Sequence, residues 1–296
     1  MKNVYWFTVM VLSVSEQIAA IEQMINVHPN LRGPLELRKR ILEAQREARD
    51  NVCKGTSVDW SNRSVVNELQ QKAFISKEPI ASFLDPSIFD TDVLSHMCTQ
   101  IVHVLINSGV KEEELKGFLG EMKSKKLKLV ELVDAALRMD ADFFEGCGGR
   151  LGVRSSIILF VTDMLIQPCL EEIACKIGSS FFEGWWRQAS CPVCGRRPIV
   201  AKLKARKRYL ICSLCGVEYL TDLFLCVNCG NVDPYTLKFL APGEHPKLRV
   251  DFCEKCRHYV KVIHEDELNV PIPKGLEDIM TLDLDLMAKH AELVRV

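Results

Sequence analysis

The chain has 296 residues, of which 48% are hydrophobic and 26% charged, with 38 Lys/Arg set against 39 Asp/Glu. This is the length of one large or two ordinary domains, with enough apolar side chain for a sizeable core, and the balanced charge argues against a polyanion binder that works by bulk charge. Of thirteen cysteines, an odd total, eight are spaced C-x-x-C, which argues against a secreted disulfide framework and for metal ligation in a reducing cytoplasm.

The opening stretch, MKNVYWFTVMVLSVSEQIAA, carries one lysine and then an apolar run from Val4 to Val14. The run is short for a secretion signal and lacks a clear small-x-small cleavage site, so a buried first segment or a mis-called upstream start is expected instead. LELRKRILEAQREARDNV sets Leu35, Arg38 and Leu42 at helical spacing, with charges on the other face. TDVLSHMCTQIVHVLINSG places Val93, Met97, Ile101 and Leu105 on one stripe and ends at Gly109, a residue suited to a helix C-terminus. KLKLVELVDAALRMDADFF repeats the pattern through Leu129, Val133, Ala136 and Leu137, and EGCGGR (Glu145 to Arg150) is expected to stop it. RSSIILFVTDMLIQPCLEEIACKI is apolar on most sides, as a central bundle helix should be, and Pro168 is expected to kink or end its first part. With Asp163 and Pro168 interrupting even this segment, no stretch qualifies as a membrane span.

Beyond FFEGWWRQAS the pattern changes to short β-prone runs. RPIVAKLKARKRYLIC is two such runs about a basic turn, and DPYTLKFLAPGEHPKLRVDFC repeats the design about APGEHP. C-x-x-C pairs bracket each hairpin: Cys191 and Cys194, Cys212 and Cys215, Cys226 and Cys229, Cys253 and Cys256. A tight turn carrying C-x-x-C supplies two thiolates on one side of a metal, and a second turn returned by a hairpin supplies two more. Glycine follows the second cysteine at Gly195, Gly216 and Gly230, where it permits a positive φ; Arg257 in the fourth pair suggests a turn built differently. The pairs are separated by 17, 10 and 23 residues. Only the first and third intervals hold a hairpin, so sequential pairing is expected: Cys191, Cys194, Cys212 and Cys215 on one metal, and Cys226, Cys229, Cys253 and Cys256 on another. Interleaved pairing stays open on spacing alone, as does the choice between zinc and rubredoxin-type iron. His245, His258 and His264 are surplus to two filled sites and are expected to face solvent.

The predicted organisation is therefore α+β. An all-α helical domain spans 1–187, a first rubredoxin-like or zinc-ribbon metal module 188–222, a second module 223–270, and a C-terminal helix 271–296 with Leu276, Ile279 and Met280 on one face. Trp185 and Trp186 are expected to pack the helical half onto the first module.

CPVCGRRPIV, RYLICSLC, CVNCG and CEKCRHYVKVI, in this order, resemble the FdhE family of formate dehydrogenase accessory proteins. The resemblance covers about residues 185–290, with the late LDLDLMAKH similar to the family's closing helix. It implies a helical domain followed by two rubredoxin-like modules, each holding a metal ion on four of the eight cysteines. It also implies a cytoplasmic, non-catalytic assembly factor that binds the catalytic subunit of formate dehydrogenase, with no nucleic acid as partner and an oligomeric state left open. An oxygen-sensing role for the thiolates would be a variant of that function.

Two other functions compete. Between Cys191 and Cys215 lie Arg196, Arg197, Lys202, Lys204, Arg206, Lys207 and Arg208 with no Asp or Glu, so the first hairpin could bind nucleic acid; it could equally offset its own metal–thiolate charge. An enzyme is poorly supported, because the chain lacks G-x-S-x-G, P-loop, G-x-G-x-x-G and H-E-x-x-H patterns. Cys147 in its glycine-rich stretch reads as part of a helix terminus and turn, and His96 and His103, one heptad apart, as core or boundary residues.

Overall fold

The structure, a computed structural model, describes residues 13–52, 62–124, 126–243 and 246–296. All but the end of the apolar run Val4–Val14 lies outside the described residues, as do Cys53 and His245.

The first half is helical. Helix α1 (Val14–Val27) is opened by a capping box between Ser13 and Glu16, and α2 (Arg32–Val52) returns against it. After α3 (Arg63–Ser76) two 3-10 turns lead to α4 (Thr91–Asn107), capped by Asp90. Leu94, Met97, Cys98, Ile101, Val102 and Leu105 form its buried stripe. Helix α5 (Glu112–Lys123) packs on α4, while α6 (Leu129–Arg138) and α7 (Ala141–Leu151) join α2 and α4 around α8 (Ser155–Ile177), the buried centre of the bundle.

Two sequence expectations are corrected here. EGCGGR does not end a helix. The chain breaks earlier, at Met139 (φ 56°), and α7 runs through all six residues. Its Gly148 serves close packing: a Cβ there would sit 2.8 Å from the Val153 carbonyl oxygen. Of the two outcomes expected at Pro168, a helix end is ruled out, since α8 runs on through it to Ile177. Proline cannot donate to the carbonyl four residues back, here that of Met164. The Gln45 Nε2 of α2 donates to that oxygen at 2.8 Å instead, so the lost helical bond is replaced from a neighbouring helix.

The second half forms one sheet. Strands β1 (Val200–Lys204) and β2 (Lys207–Ile211) make the first hairpin about Ala205 and Arg206, both left-handed, and β3 (Glu218–Thr221) pairs with β2. Strands β4 (Leu237–Leu240), β5 (Leu248–Cys253) and β6 (His258–His264) form the second antiparallel set. The two sets join because β1 and β6 run parallel, Val200 opposite Lys261, giving the order β3-β2-β1-β6-β5-β4. Helix α9 (Leu282–His290) follows a 3-10 turn, and the short β7 (Val294–Arg295) adds to β6.

The main hydrophobic core is continuous from the bundle into the first module, and includes Cys191, Cys194, Cys212 and Cys215. Ile80 and Ala81 donate backbone hydrogen bonds to the Pro192 and Val193 carbonyls at 3.0 and 2.8 Å. Trp186 is buried with Nε1 on the Ser190 oxygen at 2.9 Å, and Trp185 stacks edge-on against Phe74 and Phe181. The two tryptophans therefore sit at the joint, as expected. Leu276 closes a smaller core between α1 and α2. Residues 276–295 thus act as a strap across both halves.

Candidate metal centres

Both expected sets of cysteines converge, in sequential pairing. The sulfurs of Cys191, Cys194, Cys212 and Cys215 lie within 4.8 Å of one another, as do those of Cys226, Cys229, Cys253 and Cys256. Cys191 and Cys215 sulfurs are 3.4 Å apart and Cys194 and Cys212 3.3 Å; in the second set, Cys226 to Cys256 is 3.5 Å and Cys229 to Cys253 3.8 Å. The interleaved alternative is excluded by this placement.

The local fold explains the convergence. In each turn the residue after the second cysteine donates its N–H to the carbonyl of the first cysteine: Gly195 at 2.9, Gly216 at 2.9, Gly230 at 3.0 and Arg257 at 2.8 Å. That bond needs a left-handed residue, and φ is 76°, 67°, 71° and 62° respectively. The fourth turn is therefore built like the others, which corrects the expectation raised by Arg257. Its side chain is used elsewhere, donating to the Ala291 carbonyl at 2.7 Å.

The donor set fits a metal. Separations of 3.3–3.8 Å are far beyond the ~2.05 Å of a disulfide. They approach the ~3.8 Å between sulfurs that four bonds of ~2.3 Å to a tetrahedral ion would give. Without a cation the buried set is electrostatically frustrated. Burial pushes the Cys194 and Cys215 thiols well up, while hydrogen bonds from Cys191 and Cys194 pull Cys212 well down. A central cation would let all four be thiolates. Four thiolates complete a tetrahedral shell and leave no position for a reacting water, which is the arrangement of a structural site.

The two centres differ in exposure. All four cysteines of the first are buried; in the second Cys229 is exposed and Cys256 half-buried. Asn231, which sequence reasoning passed over, donates from Nδ2 to the Cys253 sulfur at 3.5 Å. Only its place two residues after Cys229 hinted at that role. Cys98, Cys147 and Cys169 are buried and Cys175 half-buried, none of them part of either cluster.

Part of the basic hairpin is spent inside the fold. Arg196 pairs with Asp163 of α8, with Nε at 3.2 Å. Lys202 is buried and meets Glu218, Glu277 and Glu265 at 2.8, 3.1 and 3.4 Å. Lys204 meets Glu265 at 3.0 Å, and Arg208 is buried on the Leu225 carbonyl at 2.8 Å. Lys204 is nonetheless exposed, as are Arg197, Arg206 and Lys207. His258 and His264 do not face solvent freely: His258 Nδ1 lies 2.8 Å from the Cys256 carbonyl and His264 is half-buried. His96 and His103 are exposed on α4 rather than in the core. No helix among the described residues is long and apolar enough to cross a membrane.

Residues 190–221 match the family model described as FdhE, central domain. A Protein FdhE homolog of Aquifex aeolicus (strain VF5) is 33% identical over 152 residues, covering 49% of this chain and 52% of that protein. One from Shewanella baltica (strain OS223) is 31% identical over 103 residues, covering 33% and 34%. The chain thus spans about half, or about a third, of the length of these curated relatives. The crystal structure of the FdhE protein from Pseudomonas aeruginosa shares the fold, with a TM-score of 0.61 over 96% of this chain and 93% of that one, at 17% identity. With the central-domain sequence falling on the first of two four-cysteine modules, and the fold shared across nearly the whole length, this chain is similar to the FdhE proteins in sequence over that module and in overall fold.

Proposed function

We propose that the protein is a non-catalytic, cytoplasmic accessory factor for formate dehydrogenase, which engages the catalytic subunit during maturation. Cys191, Cys194, Cys212 and Cys215 hold one metal ion in this reading, and Cys226, Cys229, Cys253 and Cys256 the other, as zinc or rubredoxin-type iron. The modules bounded at 188–222 and 223–270 are then scaffolds, with 1–187 as the helical domain and 271–296 as a closing segment whose α-helix is confined to Leu282–His290, not the whole stretch as expected.

The observation that carries this reading is the uncovered apolar face beside the second centre. Leu223, Phe224 and Phe239 are each at least half exposed, and they line a groove with Cys226 and Cys253. Arg249 lies over the Phe239 ring, 4.9 Å from its centroid, but a monomer gains nothing from solvating Leu223 and Phe224, whereas a surface that receives a partner does. The nucleic-acid alternative is weakened, since Arg196, Lys202 and Lys204 of the basic hairpin already meet carboxylates of the fold.

The test is a pull-down from anaerobic extract, with metal analysis of the bait. The wild type should recover a formate dehydrogenase catalytic subunit, and the Phe224→Asp, Phe239→Asp double variant should lose it while retaining two metal ions per chain. Recovery unaffected by that change would remove the surface from the proposal; no catalytic subunit on the wild type would remove the function.

A further inference from the structure

A cleft of about 760 Å³ lies between α2 and α8 on one side and the Cys212–Gly216 turn with the 274–282 strap on the other. Its size is that of a small-molecule site, and it shares no lining residue with the groove at the exposed aromatic face. Leu37, Ile41, Phe160, Met164, Leu214 and Ile279 give it apolar walls.

Its charges are unevenly matched. Every carboxylate lining it already has a cation supplied by the fold. Asp163 has Arg196, Glu171 has Arg49 at 2.8 Å, Glu218 and Glu277 have Lys202, and Asp278 has Lys261 and Arg295. Two lining cations, Arg38 and Lys274, have no carboxylate within ion-pair distance among the described residues. Arg38 is instead positioned by neutral groups. Its Nη1 donates to Gln167 Oε1 at 3.1 Å. That buried amide also accepts from Gln45 Nε2 at 3.1 Å and donates to the Leu214 carbonyl at 2.9 Å. The guanidinium is thereby fixed against the first metal module with most of its five donors unspent. Burial pushes its pKa down, and the charge of Glu171 only partly offsets this. A cation held this way is left for an anion to complete. Lys274, whose Cε lies 3.8 Å from where a Gly216 Cβ would stand, adds a second cation on the strap side.

We propose that this cleft binds a small organic anion with an apolar body, its head group on Arg38 and its body along α2 and α8. The proposal does not depend on the formate dehydrogenase reading.

The experiment uses the metal-loaded full chain and the fluorescent anion 8-anilinonaphthalene-1-sulfonate. Saturable single-site enhancement is expected, displaced by decanoate but not by equal concentrations of decan-1-ol or decylammonium. Arg38→Gln should weaken binding at least about tenfold, the scale of a lost charged hydrogen bond, with both metals and the circular dichroism unchanged. Leu37→Trp, which fills the cleft, should abolish binding if Arg38→Gln does not fold. The Phe224→Asp, Phe239→Asp variant should bind normally, separating this site from the exposed aromatic face. No saturable binding, equal displacement by decan-1-ol, full affinity in Leu37→Trp, or loss in the double aspartate variant would each overturn the assignment.

Discussion

Arg257 occupies the left-handed position that glycine fills in the other three turns, at a cost of about 1 kcal/mol. What offsets the cost is the C-terminal strand: its guanidinium holds the Ala291 carbonyl and its own carbonyl accepts from Val294 N–H at 2.9 Å. A second residue whose chemistry is set by position is Cys98, only 1% exposed on α4, its thiol pushed up to about 12 by burial. In the unfolded chain that thiol returns to about 8.5. The folded state thus holds the proton more tightly, a contribution to stability intact below pH 8.5 and lost as pH rises through 12. At pH 8, iodoacetamide should label Cys98 roughly a thousandfold more slowly in the native protein than in urea, as read by peptide mass spectrometry. Comparable rates in the two states would show the α4 stripe to be open.

At the scale of elements, the two modules share one design but not one environment. The first is walled by α8 and the 3-10 turn at Ile80, with its cysteines 0–2% exposed; the second stands at the sheet's far end with Cys229 open. Metal release requires solvent or chelator to reach sulfur, so local exposure governs its rate. A chelator at pH 7 should therefore remove one ion per chain at least about tenfold faster than the other. Changing Cys226 and Cys229 to Ser should abolish the fast phase and leave the helical signal, whereas changing Cys191 and Cys194 should cost helicity too. Stopped-flow release and circular dichroism read both. A single release phase, or equal loss of helicity in both variants, would contradict the asymmetry.

Across the whole molecule the strap of residues 276–295 ties helices to sheet through one buried cation. Lys261 on β6 has no exposed side-chain surface; its Nζ donates to the Asp278 carbonyl and to Asp285 Oδ2, both at 2.8 Å. Asp285 also accepts from Tyr259 at 2.6 Å, and Arg295 holds Asp278 at 2.7 Å. Breaking a buried pair from one side costs about 3–5 kcal/mol, mostly for the charge left behind. Lys261→Met should therefore destabilise the full chain, yet stabilise a chain ending at residue 275, in which the ammonium has lost both partners. Urea denaturation of the four proteins measures this; the same sign in both backgrounds would show that the strap does not neutralise Lys261.

What the sequence determined by itself is local: the eight cysteines that cluster in fours, the two hairpins, the α4 stripe and the change from helix to strand after Trp186. These follow from spacing, periodicity and turn chemistry acting over a few residues. What only the tertiary structure decided is who meets whom. Pro168 stays helical because Gln45, 123 positions away, supplies the missing donor. The two hairpins become one sheet because β1 finds β6, and Asp163, Glu277 and Glu265 turn Arg196, Lys202 and Lys204 of the basic hairpin to the fold's own use. Partners remote in the chain leave no periodic trace, since hydrogen bonds and ion pairs depend on distance in space and not on separation in sequence.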